Sequence, residues 1–179
     1  PNSKHIRECM EACDFVVLQE IFPSETSKYA DVLLPGVSFA EKTGTVTNTE
    51  RRIQLVRKAI ETTSEAREDW AITADLARRV IALGSRKPIG GTHADWSYAS
   101  TADIMHEINA LTPSYAGVTH DRLEKGERLH WPVKSIEHGG TPILHVGQFT
   151  RGKGKFMPID HVPPAEAPDD DYPWLLSTG

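Results

Sequence analysis

The chain has 179 residues, of which 39% are hydrophobic, and its 20 Lys and Arg against 25 Asp and Glu give a net charge of −5. This length and composition suit one ordinary globular domain, or one domain with part of another. The negative charge argues against sequence-independent nucleic-acid binding, and no apolar run approaches the roughly 18 residues of a membrane-spanning helix. We therefore expect a protein that binds neither nucleic acid nor membrane.

The first segment predicts a helix with a buried face. Ile6, Cys9, Met10 and Cys13 recur at the spacing of one side of a helix. Two cysteines four residues apart have poor disulfide geometry and make an incomplete metal site. We therefore expect reduced thiols that are buried as small hydrophobic side chains, which favours a cytoplasmic location.

Two short apolar runs follow, and both are typical of strands in a parallel sheet. Residues 14–21 (DFVVLQEI) and 31–35 (DVLLP) are apolar enough for strands buried on both faces. A short helix after Ser24 separates them, so the order predicts an α/β unit. Residues 52–60 (RIQLVRKAI) alternate well enough for a third, half-exposed strand. The very polar residues between, 41–52 (EKTGTVTNTERR), predict a loop.

Two longer helices are predicted next. Residues 66–83 carry apolar side chains at helical spacing, with acidic residues at the start and Gly84 as a stop. Ser100 and Asp103 have the spacing of a capping box for a second helix, which Thr112-Pro113 ends.

The signals weaken after these helices. We expect residues 115–140 to run over the surface, and residues 141–149 and 154–162 to pair as strands. Residues 163–173 (PPAEAPDDDYP) predict an acidic, proline-rich linker. The final residues, 172–179 (YPWLLSTG), indicate a strand entering a turn, which predicts a section of a longer polypeptide.

Candidate binding residues lie at the predicted strand ends, where parallel α/β sheets bind ligands. Gln19 and Glu20 close the first strand, and an acid there can accept hydrogen bonds from ribose hydroxyls or from guanine N1 and N2. Lys42 can neutralise a phosphate. The alternatives are a solvated acid at Glu20 and, for Asp69, an acid that the helix dipole stabilises without a ligand.

Other polar residues give weaker indications. Asn48, Glu50, Arg51 and Arg52 can brace their own loop through ion pairs and turn hydrogen bonds. The eight histidines have no metal-ligand spacing, and no P-loop, GxGxxG or GxSxG motif occurs.

A longer pattern links these segments. Residues 29–60 (YADVLLPGVSFAEKTGTVTNTERRIQLVRKAI) resemble a signature of the molybdopterin oxidoreductase family, specifically the large subunit of molybdenum- or tungsten-dependent formate dehydrogenases. Residues 68–80 (EDWAITADLARRV) resemble the family's following helix, and residues 141–179 resemble its approach to the C-terminal domain. Residues 85–135 are the most variable-looking part.

The resemblance implies an α/β fold, in which part of a Rossmann-like parallel-sheet dinucleotide-binding domain is followed by an extended connection toward a C-terminal β-barrel domain. Residues 1–112 would form the C-terminal portion of the family's α/β domain. Residues 113–162 would form a surface segment with a β-hairpin, and residues 163–179 a linker and the first strand of the molybdopterin dinucleotide-binding domain.

The family's cofactor is bis-molybdopterin guanine dinucleotide with molybdenum or tungsten. Seven positions match residues that contact a guanine dinucleotide in related enzymes: Gln19, Glu20, Lys42, Asp69, Ser177, Thr178 and Gly179. The family's iron–sulfur cysteine motif, its metal-bound cysteine or selenocysteine and its substrate arginine find no match here, and neither Cys9 nor Cys13 corresponds to them. We therefore expect no catalytic residue and no metal ligand in this chain.

The function that the resemblance implies is formate oxidation to carbon dioxide by the parent enzyme. Electrons would leave through partner subunits that carry iron–sulfur clusters or flavin, and this chain would bind one guanine dinucleotide arm beside other domains of the same subunit. Two alternatives share the fold: the large iron–sulfur subunit of NADH–quinone oxidoreductases, and nitrate reductases. Arg52 favours formate dehydrogenase. An alternative of another class is a non-catalytic structural or interaction module.

Overall fold

The computed structural model describes residues 2–84, 95–164 and 167–176, and it is a mixed α/β structure. The chain divides into a large unit, Cys13–Leu144, and a small unit, Pro1–Ala12 with His145–Gly179. The helices and strands follow in chain order: α1 (Ser3–Glu11), β1 (Val17–Glu20), β2 (Val32–Pro35), β3 (Gly44–Thr47), β4 (Arg52–Val56), α2 (Asp69–Ala82), α3 (Thr101–Leu111), α4 (His120–Glu124) and β5 (Leu129–His130). No helix among the described residues is long and apolar enough to cross a membrane.

Strands β1 and β2 form the predicted parallel pair, with Glu20 opposite Pro35 at its carboxyl end. A short 3₁₀ helix, Glu25–Tyr29, connects them. An isolated parallel bridge between Gly36 and Arg67 extends the sheet by one more segment, and the Arg67 amide donates to the Pro35 carbonyl at 3.0 Å. The carboxyl ends of both strands therefore meet the start of α2 at one edge.

The expectation that these strands are buried on both faces is wrong for the described residues. Val17 is 49% exposed and Leu33 is 50% exposed. The sheet consists of two strands and one bridge, so the described residues enclose neither of its faces.

The polar stretch 41–52, predicted as a loop, contributes a strand. Strand β3 pairs antiparallel with β4, and β4 pairs in turn with β5. Thr45, Val46 and Thr47 are β-branched, and such side chains fit a half-exposed strand even when they are polar. The third predicted strand is also shorter than expected, because it ends at Val56.

The turn between β3 and β4 has the predicted turn hydrogen bonds at Asn48, whereas Arg51 does not brace it. Asn48 Oδ1 accepts from the Arg52 amide at 2.9 Å, and Asn48 Nδ2 donates to Glu50 at 3.2 Å. Arg51, at φ +68°, turns away from the hairpin. Its guanidinium donates to the carbonyls of Trp131 and Thr141, the latter at 2.9 Å. Arg51 therefore holds the β5 region rather than its own turn.

The core of the large unit lies between β4, α3 and the region around β5. Its buried members are Ile53, Met105, Val118, Leu123, Leu129 and Val133. Four of them come from residues 115–140, so the expectation that this stretch runs over the surface is wrong. Its apolar residues lie in short turns and single helical turns, where neither a period of 3.6 nor a period of 2 develops.

A buried arginine holds this irregular region together. Arg122 is 8% exposed, pairs with Glu127 at 2.7 Å, and donates to the carbonyls of Gly117 at 2.6 Å and His138 at 3.0 Å. Gly117 also approaches Ser135 closely, because a Cβ at position 117 would lie 1.8 Å from the Ser135 carbonyl oxygen.

Helices α2 and α3 confirm the predictions for their segments. In α3, Ser100 Oγ accepts from the Asp103 amide at 3.3 Å, and Asp103 Oδ2 accepts from the Ser100 amide at 3.0 Å. This capping box satisfies two backbone donors at the start of the helix. The helix ends at Leu111, before Pro113.

The first segment of the chain and the residues after position 140 differ from the expectations. Helix α1 forms, but Ile6 is 59% exposed and the cysteines are exposed, so its predicted buried face is not buried. Residues 141–149 and 154–162 do not pair as strands, and an isolated bridge joins Phe149 to Gly152. Pro158 lacks an amide donor for a ladder, and residues 154–162 have no regular secondary structure, with Phe156 98% exposed.

Candidate functional site

Three predicted site residues meet at the carboxyl edge of the parallel strands. The Asp69 carboxylate is their centre. Gln19 Nε2 donates to Asp69 Oδ1 at 2.6 Å, and Lys42 Nζ donates to Asp69 Oδ2. Lys42 also donates to the Val37 carbonyl at 3.3 Å. We call Gln19, Lys42 and Asp69 the carboxylate cluster.

Local structure explains why these side chains converge. Gln19 lies near the end of strand β1, Lys42 follows a 3₁₀ turn after β2, and Asp69 is the first residue of α2. The helix dipole favours an acid at that position. Gly36 leaves room for the carboxylate, because a Cβ there would lie 3.2 Å from Asp69 Oδ1.

The cluster keeps Asp69 charged. Partial burial of the carboxyl group raises its pKa, but the hydrogen bonds from Lys42 and Gln19 outweigh this effect and lower the pKa below its ordinary 3.8. The Asp69 side chain is 47% exposed and the Lys42 side chain 30% exposed. A charged, oriented carboxylate is therefore accessible to a ligand.

Glu20 lies apart from the cluster. Its Oε1 accepts from the backbone amide of Ile21 at 2.9 Å, and it lines a different pocket of about 220 Å³ with apolar neighbours such as Leu18 and Phe22. The remaining predicted contacts, Ser177, Thr178 and Gly179, lie outside the described residues.

A cavity of about 280 Å³ adjoins the cluster. Its lining comes from the 3₁₀ turn before Lys42, the β3–β4 hairpin, the start of α2 and one side of α3: Phe39, Lys42, Thr43, Gly44, Thr45, Val46, Val56, Asp69, Trp70, Thr101, Ile104, Met105 and Ile108. An apolar pocket with a few polar groups on one side is the usual form of a small-molecule site.

The sequence did not reveal that α3 belongs to this site. Ile104 and Ile108 have the spacing of an ordinary apolar stripe on a helix, and the structure places both of them on the cavity wall. The sequence feature that could have indicated a binding surface on α3 is Thr101, a polar residue that continues this stripe to the start of the helix.

The described residues contain no group of three or more His, Cys, Asp or Glu side chains arranged to hold a metal ion. The chemistry that the carboxylate cluster offers is hydrogen bonding and ion pairing. Its carboxylate accepts, and its ammonium and amide groups donate.

Sequence similarity relates this site to a known class of protein. Residues 1–79 match the sequence pattern of the molybdopterin oxidoreductase family. The match includes every member of the carboxylate cluster.

Individual relatives extend the similarity to the whole chain. It is 44% identical to the F420-dependent formate dehydrogenase subunit alpha of Methanocaldococcus jannaschii, over 100% of this chain and 25% of that protein. It is 40% identical to the F420-dependent formate dehydrogenase 1 subunit alpha of Methanococcus maripaludis, with the same coverage. It is also 40% identical to the probable oxidoreductase YjgC of Bacillus subtilis, over 92% of this chain and 16% of that protein. The chain thus spans about a quarter of the length of the archaeal relatives.

Proposed function

We propose that this chain is a section of the alpha subunit of a formate dehydrogenase, in which the carboxylate cluster holds the guanine end of one molybdopterin guanine dinucleotide. The single observation that carries the proposal is that Gln19 and Lys42 both donate to the accessible carboxylate of Asp69. The similarity of the whole chain to two archaeal formate dehydrogenase alpha subunits supports the assignment of the parent protein.

The acceptor sites that remain on the Asp69 carboxylate suit guanine. A carboxylate offers about two lone-pair sites on each oxygen. Gln19 occupies one site on Oδ1 and Lys42 one on Oδ2, so each oxygen keeps one for a further donor. Guanine presents two parallel donors, N1–H and N2–H, that match this pair. Adenine presents an acceptor in place of one donor, which the carboxylate repels.

Lys42 suits an oxygen of the same ligand. An ammonium group has three donors, of which one serves Asp69 and one the Val37 carbonyl. The third is left for a ligand oxygen. We extend the proposal to Glu20, as a ribose contact at the end of β1, and to Ser177, Thr178 and Gly179, as contacts from the last residues of the chain.

In the parent enzyme, the bound molybdenum or tungsten cofactor supplies the two-electron chemistry of formate oxidation to carbon dioxide. This chain's own residues bind and orient one arm of that cofactor. We further propose that residues 1–112 form part of a Rossmann-like domain, that residues 163–179 lead into a β-barrel domain, and that the cytoplasmic parent passes electrons to iron–sulfur or flavin subunits.

The test is calorimetric titration of the 179-residue chain with GDP and ADP. We expect GDP to bind more tightly than ADP, and Lys42→Ala to weaken GDP binding about 10-fold, because a hydrogen bond to a charged group contributes roughly 1.5–3 kcal/mol. Lys58→Ala is the matched control, since Lys58 is also paired with a carboxylate and its side chain is 33% exposed.

Equal affinity for the two nucleotides, no binding of either, or equal weakening by both lysine substitutions would contradict the proposed site. A chain that binds neither nucleotide would instead act as a structural module of its parent.

A further inference from the structure

We propose that the cavity beside the carboxylate cluster is the binding site of the purine ring, and that α3 forms the wall that shields the contact of the base with Asp69 from water. This inference rests on the proposed function and goes beyond it, because it assigns a role to Trp70 and to Ile104, which no match to the family's contact residues singles out. It concerns the large unit alone, in which all of the lining residues lie.

The walls of the cavity suit the faces of a flat ring. Val46 and Val56 contribute from the hairpin, Ile104 and Ile108 from α3, and Trp70 from the first turn of α2. Aliphatic and aromatic side chains favour the apolar faces of a base, and every base offers such a face for stacking. The apolar walls therefore supply affinity without selecting one base.

The orientation of Trp70 is fixed before any ligand binds. Its indole Nε1 donates to Glu68 Oε2 at 2.5 Å, so the ring is held against the cavity rather than free to rotate. A pre-oriented aromatic side chain loses little conformational entropy when a ring stacks on it.

The size of the cavity restricts what can enter. At about 280 Å³, it lies just below the roughly 300–1,000 Å³ that small-molecule pockets occupy. One ring system fits this volume better than a whole dinucleotide does. Phe39 lines the cavity and is 75% exposed, so it marks the side of the cavity that opens to solvent. The ribose and phosphates of a bound nucleotide would extend out of the cavity on this side.

The polar groups of the cavity select the base. Asp69 and Lys42 lie on one wall, so a ring between the apolar walls turns its donor edge toward Asp69. Apolar enclosure strengthens that hydrogen-bonded pair, because water competes less for the carboxylate. Guanine preference thus arises at Asp69, and α3 contributes by excluding water from that contact.

The experiment fills the cavity and measures GDP binding by calorimetry. Ile104→Trp places an indole in the cavity. This should weaken GDP binding by at least about tenfold, because the indole takes the space that the base would occupy. Leu111→Trp is the matched control: it makes the same kind of change on the same helix, at a residue that is 66% exposed. It should leave GDP affinity within about twofold.

A second measurement does not depend on the folding of the Ile104 variant. GDP added to the unsubstituted chain should quench tryptophan fluorescence, and Trp70→Phe should remove most of that quenching, because stacking places the base on this indole. Binding of GDP without quenching, or with unchanged affinity in a folded Ile104→Trp chain, would overturn the cavity assignment and leave the proposed function standing. Absence of GDP binding would overturn both.

Discussion

Asp69 carries the site because its carboxylate is held by two donors and still faces solvent. Gln19 and Lys42 each satisfy one oxygen, and together they lower its pKa although partial burial acts in the opposite direction. The same two contacts that prepare the carboxylate for a ligand also tie β1 and the segment after β2 to the start of α2. Site geometry and local stability are therefore coupled at this residue.

This coupling predicts a pH dependence. A carboxyl group whose pKa is lowered on folding stabilises the folded state above its unfolded pKa, and this contribution is lost as the pH falls through the folded value. Asp69→Asn should therefore cost about 0.5–1 kcal/mol at pH 7, a range that allows for solvent screening at this half-exposed pair. The cost should shrink below the ordinary pKa of 3.8.

Urea unfolding of both chains between pH 7 and pH 3 measures this difference. A stability difference that stays constant over that range would show that Asp69 acts through its shape rather than its charge.

At the scale of elements, α3 links the core to the cavity. Met105 belongs to the buried core and also lines the cavity with Ile104 and Ile108. The helix is only 11 residues long, and isolated helices of that length are marginal in water. Its start therefore matters both for stability and for the cavity wall.

Ser100→Ala should destabilise the chain by about 1 kcal/mol, since it removes the N-cap acceptor of the Asp103 amide. Chemical denaturation followed by circular dichroism measures this loss. Ser100→Asp should restore most of it, because aspartate accepts the same hydrogen bond. An alanine variant as stable as the parent would mean that the capping box contributes nothing to α3.

The elements that could be predicted share a clear local signal. Apolar runs indicated β1 and β2, and apolar periodicity with recognisable caps indicated α2 and α3. Strand β3 was not predicted because its threonines are polar, although their β-branched shape suits a strand. The strands expected after residue 140 did not form, because apolar content alone does not supply partners for a ladder that Pro158 interrupts.

The site was predictable to a similar degree. The rule for parallel sheets placed Gln19 and Glu20 at a common ligand edge, the charge of Lys42 suggested a phosphate contact, and the family resemblance raised Asp69 to a candidate. Sequence could not show that Glu20 faces a separate pocket, because neighbouring residues on a strand point to opposite sides and the register sets which side is which. Nor could it join α3 to residues some sixty positions earlier, since that contact depends on tertiary packing.

At the scale of the whole molecule, the buried core lies within the large unit. All six members of its hydrophobic cluster fall between Ile53 and Val133, and the arginine that fastens the irregular region, Arg122, also lies there. The small unit contributes α1 and residues without regular secondary structure, among which Phe156 and Trp174 are almost fully exposed.

A chain limited to residues 13–144 should therefore unfold cooperatively at a urea midpoint close to that of the whole chain, because the buried apolar area that drives unfolding stays intact. Equilibrium denaturation of the two chains side by side provides the measurement. A clearly lower midpoint, or loss of cooperativity, would show that the small unit stabilises the core.

Gly117 places a limit on how this sequence can change over generations. A side chain there would put its Cβ 1.8 Å from the Ser135 carbonyl oxygen, whereas a Cβ at Gly139 would meet nothing within 4 Å. Gly139 therefore has room for a side chain. Gly117 tolerates no replacement as long as its close contact with the Ser135 backbone persists. Heritable variation around the core is therefore limited at Gly117 by space alone, independently of what the protein binds.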